Sequence, residues 1–194
     1  MNKIFSGTFQ KYDLLQHPFY LAWNEGKLSR EQLALYAGEY GSFINLISTG
    51  WEKIGEKEIA SEEKEHYGLW KDFGRSIGAN NVTADLLAVE QLVCTTENNY
   101  QTYAGALGAL YAFEAQQPAT ASSKLEGLRK HYAAWNADET YFKVHQNDIA
   151  EPAMLEEKIN MLDEKNKAIA ESACESTCKA LWNALTDIMK ANLN

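Results

Sequence analysis

The chain has 194 residues, 45% of them hydrophobic and 23% charged, and a net charge of −9. That length suits one helical domain over residues 1–194 with a sizeable core. An acidic surface disfavours nonspecific binding to nucleic acid or to anionic membranes.

The opening "MNKIFSGTFQKYDLL" lacks the long apolar core of a signal peptide. No stretch approaches the roughly 18 apolar residues of a membrane span. Cys94, Cys174 and Cys178 make an odd count, and the last two lie one helical turn apart. That spacing suits neighbouring buried thiols better than a disulfide. The expectation is a cytoplasmic protein whose cysteines are small core residues.

Prolines occur only at positions 18, 118 and 152, and alternating β-branched runs are missing, so helical periodicity dominates. Gly26 separates a first helix from a second, which Ser29 caps and Gln32 completes as a capping box. Leu33, Tyr36, Tyr40, Phe43, Ile44 and Ile47 recur at threes and fours, giving that helix an aromatic face. The next helix runs from about Glu56 to Ile77 and ends at Gly78. "GANNVTAD" is a loop in which Thr83 caps a helix over roughly 84–98. A long helix begins near Asn99, continues past Pro118 and bends there. "WNADET" is a turn with Asn136 or Asp138 as the next cap. A break falls near Pro152, where Glu151-Pro152 reads as a helix start. The last helix, about 163–192, carries Ala170, Cys174, Cys178, Leu181, Leu185 and Ile188 on an apolar stripe. The fold class is all-α, one bundle of seven or eight helices.

Three clusters could carry chemistry. In "SEEKEH", Glu62 and His66 are spaced i, i+4 and Glu63 and His66 i, i+3, so either pair can share a helix face. Glu-x-x-His inside a bundle is the spacing of di-iron carboxylate proteins. Glu114 stands in the almost charge-free run "GALYAFEAQQPATASS". A buried carboxylate needs a partner, a metal or a proton. "YFKVHQNDIAEP" offers His145, Asp148 and Glu151, which would fan over about 120° of a regular helix. Imidazoles and carboxylates together suit iron or manganese. No Ser/His/Asp set, phosphate loop or dinucleotide fingerprint appears. His17 before Pro18 reads as a turn residue, and His131 beside Arg129 and Lys130 as exposed.

Four blocks in order resemble the haem-oxygenase-like proteins grouped as TenA, PQQ-synthesis protein C and CADD: "HPFYLAWNEGKLSREQLALYAGEYGSFI", "EEKEHYGLWKDFGRSIG", "ALYAFEAQQPATASSKLEGLRKHY" and "YFKVHQNDIAEPAML". They span most of the chain, and the CADD-like di-iron oxidase branch is resembled most. The resemblance implies a haem-oxygenase-like helical bundle with a buried non-haem iron, or iron/manganese, pair that activates O₂. It places metal ligands at Glu62 or Glu63, His66, Glu114 and His145. The group's last ligand set is a histidine, an acid four residues on and a histidine seven residues on. Here Ile149 and Pro152 occupy those later positions, so Asp148 and Glu151 must substitute for a second metal to bind. CADD-like proteins that make p-aminobenzoate use a tyrosine and a lysine that fall on Tyr20 and Lys124. The resemblance also implies a homodimer.

The expected function is a metal-dependent oxidase or oxygenase acting with O₂ on a small molecule, in one form a self-modifying p-aminobenzoate synthase. The aromatic face of Tyr36, Tyr40 and Phe43 would line or close the pocket. The competing expectation is a metal-free binding or scaffold protein, with Glu114 neutral or bonded to Tyr36 or Tyr40. A thiaminase of the TenA branch would need a cysteine on the Glu114 helix, and residues 108–132 contain none. A haem enzyme would need a proximal histidine near the start, where only His17 stands. A cofactor-independent oxidase of the PQQ-synthesis type would need a basic pocket, and no basic cluster is visible.

Overall fold

The computed structural model describes residues 5–191, all helices and connections with no strand among them. Seven helices of 11 residues or more build the bundle: α3 (Arg30–Lys53), α4 (Lys57–Ile77), α5 (Leu87–Asn99), α6 (Tyr103–Glu114), α7 (Gln117–His131), α9 (Ala150–Asn160) and α10 (Glu164–Lys190). Three short ones, α1 (Ser6–Lys11), α2 (Pro18–Asn24) and α8 (Thr140–His145), fit between them. The last expected helix ends at Lys190, and its final expected residue, 192, lies outside the described residues.

α3 begins where its sequence dictates. The Ser29 hydroxyl accepts the Gln32 N–H, and the Gln32 side chain accepts the Ser29 N–H at 2.9 Å. A short link at Gly55 turns the chain back, and α4 packs along α3. α4 ends at Gly78, which takes the left-handed conformation at φ 97° that glycine tolerates. α10 is the long central post, with α6 and α5 laid against it. Gly108 of α6 faces the carbonyl of Ala170, where any Cβ would sit 2.0 Å from that oxygen.

Four local expectations are corrected. Thr83 does not cap α5, which starts after Leu86; its hydroxyl instead donates to buried Glu39 at 3.1 Å. Glu39 also accepts the N–H groups of Asp85 and Leu86, so a carboxylate from α3 serves the helix start from outside. The long helix through Pro118 is broken at Ala115–Gln116 rather than bent at the proline, because Pro118 sits in the first turn of α7. Neither Asn136 nor Asp138 is the N-cap of α8: that place is Glu139, while the Asp138 carboxylate accepts the Thr140 N–H at 2.8 Å. Cys94 is exposed, whereas Cys174 and Cys178 are buried core thiols.

Candidate metal centre

Glu63 and His66 lie three residues apart on α4, so both point toward the core, while Glu62, one residue earlier, faces solvent. Glu63 Oε1 and His66 Nδ1 are 2.7 Å apart. His145, the last residue of α8, comes in from the other side, with its ring centroid 4.6 Å from that of His66. Its Nε2 is 3.8 Å from Glu63 Oε1. The ligand atoms of Glu63, His66 and His145 all lie within 4.8 Å of one another.

The tautomer of His145 follows from its neighbours. Its Nδ1 is 2.7 Å from the Tyr141 carbonyl, which can only accept, so Nδ1 carries the proton. Nε2 therefore presents a lone pair to the cluster, and it has no hydrogen-bond partner although buried. This is how protein imidazoles are oriented toward metals.

Glu114 ends α6 and Glu151 lies in the first turn of α9; both are buried, and their carboxyls are close enough to shift each other's titration. Burial, and then the charges of Glu151 and Glu63, push the Glu114 carboxyl well above the ordinary range. Burial, with Glu63 and Asp148 nearby, pushes Glu151 up to about 8. Glu63 moves the other way: burial raises it, but the neighbouring His145 imidazole and the bonded His66 outweigh that and hold it low. His66 is raised, chiefly by its bond to Glu63. Asp148 stands half-buried in the link between α8 and α9 and accepts the Ala150 N–H at 3.3 Å.

These residues fit a cation. Glu114 Oε1 and His145 Nε2 are buried polar atoms with no hydrogen-bond partner, and such atoms cost about 1–3 kcal/mol each when left unmet. Three buried carboxylates with Asp148 at the margin repel one another unless positive charge lies between them. Glu63, His66 and His145 form a two-histidine, one-carboxylate set suited to Fe(II), and the Glu114–Glu151 side offers only oxygens.

A second cluster lies on the other side of Trp70. Lys124 of α7 is 2% exposed. Its Nζ sits 5.1 Å from the Tyr20 ring centroid, 5.4 Å from Tyr36 and 5.8 Å from Tyr40, with Phe142 and Trp70 completing the cage. Burial alone lowers its pKa to about 7. Tyr20 is 1% exposed, and burial raises its phenol. Phe43 stands one layer away, edge-on to Tyr40 at 5.6 Å and to Phe113 at 5.2 Å. Trp70 touches both clusters: its ring packs on Tyr36 at 5.5 Å and on Tyr141 at 4.9 Å, and Tyr141 packs on His145 at 4.2 Å.

The profile of a family described as iron-containing redox enzymes matches residues 21–182. The chain belongs to that family. A 4-aminobenzoate synthase of Nitrosomonas europaea is 37% identical, the match covering 92% of this chain and 87% of the relative. A domain with a haem-oxygenase-like fold from Shewanella denitrificans superposes with a TM-score of 0.80 at 17% identity, over 97% of this chain and 91% of that one. A TenA homologue from Pseudomonas syringae gives a TM-score of 0.76 at 14% identity, over 97% and 93%. The chain thus combines membership of this iron-containing family with a haem-oxygenase-like bundle that holds a buried glutamate–histidine set.

His17 is buried at the start of α2 with both ring nitrogens in use: Nδ1 accepts the Phe19 N–H at 3.0 Å, and Nε2 is 2.9 Å from the Thr186 hydroxyl. It has no position left for haem iron. Four residues near the clusters escaped the sequence reading: Trp51, Tyr100, Gln117 and Tyr141. Burial and the charges of Glu114 and Glu63 raise the Tyr100 phenol, and the Trp51 indole lies beside Glu114. Their residue types look like ordinary core in a sequence, and only long-range packing brings them to the acids. Among the described residues no helix is long and apolar enough to cross a membrane.

Proposed function

We propose that this chain is a metal-dependent oxidase that forms 4-aminobenzoate from its own Tyr20, with Lys124 supplying the nitrogen. The observation that carries this reading is the Lys124 amine held 5.1 Å from the Tyr20 ring in a cage that excludes water. The name of the Nitrosomonas relative supports it. The ring of Tyr20 and its Cβ are the carbon skeleton of a para-substituted benzoate.

Glu63, His66 and His145 would hold one iron, and Glu114 and Glu151, with Asp148 beside them, would hold a second ion, iron or manganese. When bound, that pair supplies the redox chemistry with O₂ that an isolated set of side chains lacks. The protein's own groups prepare the rest. Lys124, lowered to about 7, is largely a neutral amine just above neutral pH, with its lone pair available as a nucleophile. Tyr20, its pKa raised by burial, stays a neutral phenol. Tyr36, Tyr40, Phe142 and Trp70 close the chamber over both. Glu114 and Glu151 hold protons in the metal-free protein and release them as cations bind.

A metal-free scaffold is the weaker reading, because it leaves Glu114 Oε1 and His145 Nε2 buried and unmet. Small-molecule partners are then O₂ and an external reductant. A homodimer, as in the resembled group, and a reducing cytoplasm, suited to three free thiols, complete the proposal.

The test is a single turnover. Protein loaded anaerobically with Fe(II), with and without Mn(II), is exposed to O₂ and ascorbate. The expected result is 4-aminobenzoate in solution, loss of the Tyr20 ring by peptide mass spectrometry, and no product from Tyr20→Phe at unchanged iron content. Product from Tyr20→Phe at the wild-type yield would contradict the reading.

A further inference from the structure

α8 is six residues long and ends on His145. A helix that short has little stability of its own, so the place of its last residue depends on what holds it. Two ties join it to α7. At its start, Arg129 donates to the Glu139 carboxylate from Nε at 3.0 Å and from Nη2 at 2.9 Å, an exposed pair. Within the bundle, Gln117 Nε2 donates to the Tyr141 hydroxyl at 2.7 Å, and both partners are buried. Exposed ion pairs contribute little, whereas breaking a buried hydrogen bond leaves polar groups unmet away from water. The Gln117 tie is therefore the one that fixes α8.

Tyr141 passes that hold to His145 in two ways. Its ring packs on the imidazole at 4.2 Å, tilted by 34°. Its carbonyl accepts from Nδ1 at 2.7 Å, which leaves Nε2 bare on the side of Glu63. Gln117 is itself placed by the break after α6. Gln116, one residue earlier, accepts the Leu14 N–H at 3.0 Å and donates to the Ala112 carbonyl at 3.1 Å. The same break ends α6 at Glu114 and, three residues on, opens α7 with Gln117.

We infer that Gln117 is a positioning residue for the metal centre: through Tyr141 it holds His145 with Nε2 turned toward the ion. The inference rests on the reading of His145 as a ligand. Without the amide, the last turn of α8 loses its buried anchor. The imidazole can then leave the Tyr141 carbonyl and take either tautomer.

Gln117→Met keeps the side-chain length and removes the amide. Tyr141→Phe keeps the ring and the backbone carbonyl and removes the hydroxyl. The first readout needs neither metal nor turnover: the ring ¹⁵N signals of His145 in metal-free protein, assigned by His145→Gln. Wild type is expected to show one tautomer, with the proton on Nδ1. In either variant the two signals are expected to move toward each other as the tautomers mix. The second readout is Fe(II) affinity, measured anaerobically by competition with a chromophoric chelator. Each variant is expected to bind about tenfold more weakly. The double variant should bind no more weakly than either alone, because the same bond is lost in all three. Arg129→Ala is expected to leave both readouts as in wild type. Unmoved ring signals in Gln117→Met overturn the inference. So do moved signals with unchanged Fe(II) affinity, losses that multiply in the double variant, or equal effects from Arg129→Ala. If wild-type protein binds no Fe(II), the metal centre itself fails, and the positioning role falls with it.

Discussion

Glu114 closes its helix with a carboxylate one layer from another acid, in a place water does not reach. The α6 carbonyl ends add negative potential there, so an anion at that residue is opposed twice. Glu114→Ala is expected to weaken iron binding by more than about tenfold, read by elemental analysis after anaerobic loading; equal iron in variant and wild type would sink the assignment. Glu114→Gln keeps the volume and removes the charge. It is expected to bind little iron and yet to melt above the metal-free wild type. Lys124 gives a pH signature of opposite sense. Its folded pKa, about 7, lies below the ordinary 10.5. The folded protein thus holds fewer protons than the unfolded chain between those values, and stability rises with pH across that window. Lys124→Met is expected to be more stable than wild type at pH 6–7 by about 2–4 kcal/mol, the gap closing as pH nears 10. A gap that does not change between pH 7 and 10 would show that the amine is not held neutral by burial.

At the scale of elements, the centre depends on helix ends meeting. α6 ends at Glu114, α8 ends at His145, and α9 begins beside Glu151, so small shifts of these helices move the acids relative to α4. Gly108→Ala is expected to push α6 off α10, since the new Cβ would meet the Ala170 carbonyl at 2.0 Å. The cost should be about 1–3 kcal/mol in urea unfolding, with lowered iron content because Glu114 rides on α6. Gly68→Ala on α4 is the control: a Cβ there meets nothing within 4 Å, and the variant should gain up to about 1 kcal/mol. Equal stability of the two variants would show that α6 does not need its close approach. Local rules made much of this legible in the sequence. The Ser29 capping box, the Gly78 stop and the apolar stripe of α10 each sit where short-range chemistry puts them. The break before α7 was not legible, because Gln116 is held by the Leu14 N–H from 102 residues away. Glu62 and Glu63 both share a face with His66, and only the packing of α8 decides which of them turns inward. The place of Glu151 depends on the non-helical link after His145, which a regular helical wheel cannot represent.

The molecule as a whole is a bundle that stores unneutralised acid in its interior, and its stability should report that. Glu151 is raised to about 8 from an ordinary 4.5. The folded metal-free protein then binds more protons than the unfolded chain across that interval, so its stability is greatest at the acid end and falls as pH rises. His66, also raised, acts in the same sense. Chelated protein is expected to lose Tm between pH 5 and 7, and Fe(II) or Mn(II) at about 100 times its Kd to restore roughly 2.7 kcal/mol at pH 7. Identical slopes with and without metal would mean that these acids do not face the ion. The proposed metal centre rests on one spatial claim: the buried Glu63, His66 and His145 of α4 and α8 face the same interior cation as Glu114 of α6 and Glu151 of α9. Anomalous diffraction at the iron edge, from crystals of Fe(II)-loaded protein, measures that directly. A peak is expected within coordination distance of Glu63, His66 and His145, on the side toward Glu114 and Glu151; a peak elsewhere, or none at full iron loading, would contradict a metal centre there.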